Sequence, residues 1–268
     1  MRIMDLISKY VKGVFFMLTL SFAYFSYIFA NLFFVLVLIL ILILYPKNII
    51  RRKNILSWWI EKIFYFLTFK LWPFLRLYKI TVNGSARGKV GKIYVCNHTS
   101  LIDPFFLLSV IPSASVLMKA RYKNWLGNWL FLKFCDGCVV DESSLESVRM
   151  AMECMCKSIN SGRNLIIFPE GKRSKTGRLL EFKSLAFKLA KMSKTEVVPC
   201  VIFTNKPILS KGQSWFSPRP VNFVNIDILD VLDSNSTAQK LSDEAFNVIS
   251  KRLEIYRKNL DTKDNVVK

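Results

Sequence analysis

The chain has 268 residues, 52% of them hydrophobic, with 22 Phe and 6 Trp, and its 39 Lys and Arg against 19 Asp and Glu give a formal charge of +20. That length holds one good-sized domain plus an accessory segment, and six cysteines in apolar surroundings are too sparse for a disulfide scaffold and read as reduced core residues on the cytoplasmic side. The charge selects anionic partners, whether nucleic acid, an anionic membrane face or a phosphorylated substrate, and the hydrophobic N-terminus shifts the weight from nucleic acid to membrane.

Residues 1–12 form a mixed, amphipathic lead with Arg2, Lys9 and Lys12, and residues 13–45 carry no charged side chain. A signal peptide has an apolar core of only about 7–15 residues, so this is a membrane segment. One span needs about 20 residues and two need about 40, so two forms remain open: a long tilted helix, or a tight hairpin turning near Ala30 and Asn31. Lys9 and Lys12 precede the segment and Lys47, Arg51, Arg52 and Lys53 follow it, which puts the rest of the chain on the cytoplasmic face of the inner membrane.

Residues 55–77 interleave Trp58, Trp59, Phe64, Phe66, Phe69, Trp72 and Phe74 with Lys62, Lys70 and Arg76. That is the pattern of a helix lying in the membrane interface, with rings at headgroup depth and snorkelling cations; the alternative is a helix packed on the domain core. Pro73 ends or bends it. From Tyr78 onward strands alternate with helices. Strands are predicted at 78–82, 91–96, 116–119, 137–140, 164–168, 197–203 (interrupted by Pro199) and 221–229. Helices are predicted at 100–110, 122–134, 143–160 with Ser143 as its cap, 183–192 and 237–259. A loop covers 210–220 and a frayed, disordered tail covers 261–268. The chain therefore divides into N-terminal anchoring and interfacial helices at 1–77 and an α/β domain at 78–260.

Two stretches carry chemistry. The first, residues 91–104, is a buried strand that breaks into Asn97, His98, Thr99 and Ser100 and reaches Asp103 before an apolar segment; His98 is the single histidine of the chain. If Thr99 or Ser100 caps the next helix, His98 lies outside it and Asp103 in its first turn, so that the carboxylate can orient the imidazole as a general base. Cys96 sits two residues before His98 and reads as a core thiol rather than a nucleophile. The second stretch, residues 166–183, is a strand that runs into Pro169, Glu170, Gly171, Lys172 and Arg173, which places Glu170 at a strand terminus with positive charge beside it for a phosphate. Cys135 and Cys138 form a CxxC, but one histidine and no second CxxC give no metal site.

Together the two stretches resemble the glycerolipid acyltransferase family, membrane-bound enzymes typified by 1-acylglycerol-3-phosphate acyltransferase. Asn97 to Asp103 resembles the family's Asn-His-x4-Asp motif, and Phe168 to Ser174 its Phe-Pro-Glu-Gly-Thr-Arg-Ser motif with Lys172 in place of threonine. Lys119, Gly127 and the 137–140 strand fall where the family carries a basic residue, a turn glycine and its second motif; Val198, Pro199 and Cys200 look like the proline-centred fourth. The resemblance implies a mixed sheet flanked by helices, with His98 and Asp103 as catalytic residues. Asn97, Lys119, Glu170, Gly171, Lys172 and Arg173 would be the substrate-binding set, Arg173 on the phosphate. It further implies acyl-CoA or acyl carrier protein as co-substrate, a lysophospholipid acceptor such as 1-acyl-sn-glycerol-3-phosphate, an anionic phospholipid membrane as partner, and no cofactor or metal. One departure stands out: Asp141, Glu142 and Ser143 occupy the place of an arginine that the family uses on the acceptor phosphate. Glu142 would repel a phosphate there unless Lys119, Arg121 or Lys172 supplies the missing charge.

Overall fold

In a computed structural model, residues 2–44, 49–74, 78–86, 91–124, 128–205, 223–233 and 235–266 are described. The expected loop at 210–220 and Gly127 lie outside them. The described helices are α1 (Arg2–Leu44), α2 (Ile49–Phe66), α3 (Trp72–Phe74), α4 (Asp103–Val110), α5 (Asn128–Phe134), α6 (Leu145–Asn160), α7 (Leu185–Ser193) and α8 (Ala238–Val266). The strands are β1 (Lys79–Asn83), β2 (Ile93–Cys96), β3 (Ala114–Lys119), β4 (Cys138–Val140), β5 (Asn164–Ile167), β6 (Val197–Thr204) and β7 (Phe223–Ile228).

They form one sheet in the order β1-β7-β6-β2-β5-β3-β4. Every neighbouring pair is parallel except β6 with β7, so the sheet is mixed. Its central strands β2 and β5 are rich in β-branched and apolar residues and buried on both faces, as parallel strands covered by helices must be. Alternate residues feed two cores. Tyr94, Cys96, Ile166, Val198 and Ile202 pack with Leu56 and Ile60 of α2, Phe106 and Leu107 of α4 and Phe131 of α5. Ile93, Val95, Leu165, Ile167 and Val201 pack with Met155 of α6, Phe187 of α7 and Ile249 of α8. The five strands β6, β2, β5, β3 and β4 run parallel to one another and end on one edge, where an open α/β sheet presents a crevice.

The N-terminal segment settles one alternative. α1 is a single helix from Arg2 to Leu44 with no turn at Ala30 or Asn31, so the tight hairpin is overturned. Nothing at those positions breaks an i→i−4 ladder among apolar side chains, and neither residue is Gly or Pro. Within α1, Tyr24–Ile41 is long and apolar enough to cross a membrane by length and composition, with a mean hydropathy of 2.4. Its distal part meets α2: Ile41 is buried, and Phe33 and Trp59 stand edge to face at 6.0 Å. α2 continues through a π-helical turn, Leu67–Leu71, into α3 at Pro73. Of the two readings of 55–77, packing on the domain core holds for Leu56, Ile60, Leu67 and Trp72, which are buried, while Trp58, Tyr65, Phe66 and Phe74 are exposed.

Several expectations need correction. β6 runs unbroken through Pro199, opposite Val95. The ladder to β7 begins only at Cys200, so the missing N–H of Pro199 is not demanded there, and its carbonyl still accepts from Leu229 N. Ser144, not Ser143, caps α6 by accepting from Ser147 N, because Ser143 bonds back to the Asp141 carboxylate. The segment 122–134 is not one helix: Ala120–Tyr122 forms a 3₁₀ turn and α5 begins at Asn128. The expected tail is helical as far as Val266. Cys138 and Cys154 are joined by a disulfide rather than reduced, because β4 packs against α6 and brings their Cα atoms to 5.9 Å, within bridging range.

Candidate active site

The polypeptide leaves the sheet after Cys96, and the next residues are fixed one by one. Asn97 is buried, and its carboxamide bonds both ways to the main chain of Ile202, donating from Nδ2 at 2.9 Å and accepting at Oδ1 at 2.9 Å. This side chain stands in for main-chain pairing where β2 and β6 diverge, so it braces the turn instead of lining the site.

The following loop is organised from its far end. Asp103 is fully buried, and its Oδ2 accepts from His98 Nδ1 at 2.9 Å and from the amides of Thr99 and Ser100 at 2.7 Å each. The expectation that Thr99 or Ser100 caps α4 is therefore reversed. Ile102 is the N-cap without a side-chain bond, and the carboxylate of the first helical residue reaches back to satisfy the preceding loop. Backbone donors and an imidazole thus share one buried anion, which holds the proton of His98 on Nδ1 and leaves Nε2 with a lone pair. The ring also stacks on Phe168 at 4.2 Å and 27°. With 17% of the His98 side chain exposed, the site stays open on one side.

The Pro169-Glu170-Gly171 turn lies against this loop from the neighbouring strand β5. Glu170 is buried, and its two oxygens accept from His98 N at 2.7 Å and from Leu180 N at 3.0 Å. Burial is the main cause of a carboxyl pushed up to about 7; the two amide donors oppose the shift, and the charge of Asp103 adds to it. Glu170 therefore knits two loops together from beneath the site. Ser174 completes the clasp, donating from its amide to His98 O at 2.8 Å and from its hydroxyl to Arg178 O at 2.6 Å. On the same turn Lys172 is exposed and Arg173 half-buried.

Gly171 takes φ +62, and an added Cβ would come within 3.0 Å of Glu142 Oε1 and 2.9 Å of Lys183 Cε. Lys119, at the end of β3, reaches Glu142 Oε2 at 3.4 Å, and Lys183 pairs with the same oxygen. Partial burial opposes ionisation of Glu142, but Lys183 and Lys119 outweigh it and hold the carboxyl below its ordinary range. Cys96 is buried and bonds to Asn97 Oδ1 at 3.7 Å. Its thiol is pushed well up by burial, with Cys200, Asp103 and Glu170 adding to the shift, the opposite of what a nucleophile needs.

Of the residues expected from sequence, His98, Asp103, Glu170 and Gly171 come together at one edge of the sheet, and Lys119 reaches that turn through Glu142. Phe168 and Ser174, the two ends of the second motif, were overlooked as contacts of His98, although the motif itself flagged them. Lys183 had no local signal: its place depends on its amide bonding to Pro169 O at 2.9 Å, across a loop.

Comparison with known proteins adds independent findings. The Acyltransferase family model matches residues 79–203, the segment that holds all of these groups except the N-terminal helices. A 1-acyl-sn-glycerol-3-phosphate acyltransferase of Cocos nucifera is 32% identical over 148 residues, covering 53% of this chain and 47% of the relative. The 1-acyl-sn-glycerol-3-phosphate acyltransferase beta of Homo sapiens is 25% identical over 190 residues, covering 69% of this chain and 64% of its own. The matched region thus spans about half to two thirds of these relatives. The crystal structure of the 1-acyl-sn-glycerophosphate acyltransferase from Thermotoga maritima superposes with a TM-score of 0.73 at 22% identity, covering 92% of this chain and 97% of that one. The chain therefore has the mixed-sheet fold of a glycerolipid acyltransferase, preceded by an apolar N-terminal helix, and its segment 79–203 matches the Acyltransferase family.

Proposed function

We propose that this chain is a membrane-associated O-acyltransferase that moves a fatty acyl group from acyl-CoA or acyl carrier protein to the free hydroxyl of a lysophospholipid, with 1-acyl-sn-glycerol-3-phosphate as the acceptor. The observation that carries this reading is the His98–Asp103 pair, whose Nδ1 is committed to the carboxylate at 2.9 Å while Nε2 is left for chemistry. Nε2 takes the proton of the acceptor hydroxyl as its oxygen attacks the thioester carbonyl. The tetrahedral intermediate then collapses, the C–S bond breaks, and the departing thiolate takes the proton back from the imidazolium. Asp103 stabilises the imidazolium in between. A thioester is already an activated donor, so these steps need only an acid–base pair and a positioned acceptor.

Asn97, Glu170 and Ser174 position the loop, while Lys119, Gly171, Lys172 and Arg173 supply the acceptor headgroup with charge and a bare backbone turn. The names of the relatives, all 1-acylglycerophosphate acyltransferases, support the acceptor. The apolar Tyr24–Ile41 stretch and the basic residues around it support a place at the cytoplasmic face of the inner membrane. Glu142 among the lysines favours a second reading, in which the acceptor is another lipid or glycolipid that lacks a phosphomonoester. Purified protein supplied with acyl-CoA or acyl carrier protein and a panel of lysophosphatidic acid, glycerol 3-phosphate and other lysolipids, read by product mass, separates the two. Acylated lysophosphatidic acid is the expected product. Acyl release without any acceptor would mark a hydrolase and overturn the proposal.

A further inference from the structure

Three side chains from separate elements meet beside the Gly171 turn: Lys119 from the end of β3, Glu142 two residues beyond β4, and Lys183 just ahead of α7. Both ammonium groups address a single oxygen, Glu142 Oε2, and the other oxygen lies against the bare face of Gly171. The cluster sits at the edge where β2, β3, β4 and β5 end, one residue from the Glu170 carboxylate that holds His98. Two cations on one carboxylate leave a net positive charge, and the three side chains are 32%, 35% and 51% exposed, for Lys119, Glu142 and Lys183 respectively. Ion pairs with this much solvent contact are held weakly and open readily.

We infer that Lys119 and Lys183 form an anion subsite for the acceptor headgroup and that Glu142 fills it in the free protein, so that a phosphate must displace an internal carboxylate to bind. This inference rests on the acyltransferase reading for the meaning of the headgroup, and it adds what selects that headgroup. Glu142 is the charge that the subsite carries against its own ligand. It lowers affinity for a phosphomonoester and leaves acceptors without a phosphate unaffected.

The test uses the full chain in detergent micelles, with glycerol 3-phosphate as the anionic probe and glycerol as the neutral one, in titration calorimetry. Glu142→Gln should bind glycerol 3-phosphate about two- to fivefold more tightly than the wild type, the size expected for releasing an exposed ion pair. Adding Lys183→Met to that variant should cancel the gain, and glycerol should bind all three alike. Melting midpoints confirm that each variant is folded, and Glu142→Ala serves as a second removal of the charge. Unchanged or weaker binding by both Glu142 variants, an equal shift for glycerol, or no detectable binding of glycerol 3-phosphate by any variant overturns the inference. The acyl-transfer panel is scored separately. A binding shift with no transfer to any acceptor would sink the enzymatic reading and leave the subsite standing, while transfer without the shift would do the reverse.

Discussion

His98 is held at three points: its ring nitrogen by Asp103, its amide by Glu170 and its carbonyl by Ser174. Only the first of these bears on the proton transfer proposed for the ring. His98→Ala should therefore lower the turnover of acyl transfer by about 10²- to 10⁴-fold, the range of a positioned general base, without loss of fold. Cys96→Ala should keep most of the activity, because the thiol is buried and its ionisation is opposed; the reverse pattern in a purified transfer assay would move the chemistry to sulfur. Glu170 yields a second, pH-dependent expectation. The unfolded chain releases this proton near the ordinary 4.5 and the folded protein near 7, so between those values the native state binds more protons. Stability from Glu170 is fully present below the lower value, falls as pH rises, and is gone above the upper one, a loss of up to about 3 kcal/mol. Glu170→Gln removes this titration and turns an amide donor toward one of the two backbone N–H groups, so it should be the less stable protein at pH 5. Its deficit in melting midpoint should narrow toward pH 8, and a gap that stays constant or widens contradicts the assignment. The pairing of His98 with Asp103 was legible in their spacing and the break after Cys96. The inward roles of Asn97 and Glu170 were not, because a motif records residue types and not whether a carboxylate faces ligand or main chain.

Among the elements, the joint between the N-terminal helices and the sheet turns on Arg163. Its Nε donates to Asp136 Oδ2 at 2.6 Å, Nη1 to Ser57 Oγ of α2 at 2.9 Å and Nη2 to Phe134 O of α5 at 3.1 Å. Only 10% of the Arg163 side chain is exposed, so removing it leaves a partly buried carboxylate and two other acceptors without this donor. Arg163→Met should cost about 3–5 kcal/mol in denaturant unfolding of the micellar protein, and Ser57→Ala, which loses one neutral partner, about 1 kcal/mol. Equal, small effects would show that apolar packing alone seats α2. The elements themselves were readable to differing degrees. α6 has clear helical spacing through Val148, Met152, Met155 and Ile159, and its range was right apart from the cap. Tyr122, Trp125 and Leu126 ahead of α5 share its aromatic and apolar character, so sequence alone starts the helix at Tyr122 and merges it with the 3₁₀ turn at Ala120–Tyr122. The Cys138–Cys154 bridge was out of reach because it depends on β4 lying against α6, a tertiary pairing that two cysteines sixteen residues apart do not announce.

At the scale of the whole molecule, α1 fixes how the protein can meet a membrane. At 1.5 Å per residue its 43 residues extend about 65 Å, roughly twice a hydrocarbon core of about 30 Å. A helix of that length standing across a bilayer would have only part of itself in lipid, and Tyr24–Ile41 is a stretch long and apolar enough for it by length and composition. Its outward residues Leu32 and Leu36 are 60% and 64% exposed, so they contribute little to the protein core and are available to lipid. Ile41, by contrast, is buried, and its neighbourhood ties the same helix to α2. The exposed Trp58, Tyr65, Phe66 and Phe74 add apolar surface on α2 and α3, and a chain charge of +20 would favour anionic headgroups. The proposed anchor and the proposed catalytic domain can thus be tested separately by substitution. Replacing Leu32 and Leu36 together with lysine places two charges near the centre of the span, at about 2.5–3.5 kcal/mol each, while touching no core contact. The double variant should move from the membrane pellet to the soluble fraction on alkaline carbonate extraction, whereas the wild type should stay in the pellet, and the two should share a melting midpoint in detergent. Retention of the variant in the pellet would mean that α2 and the charged domain surface, rather than α1, hold the protein to lipid.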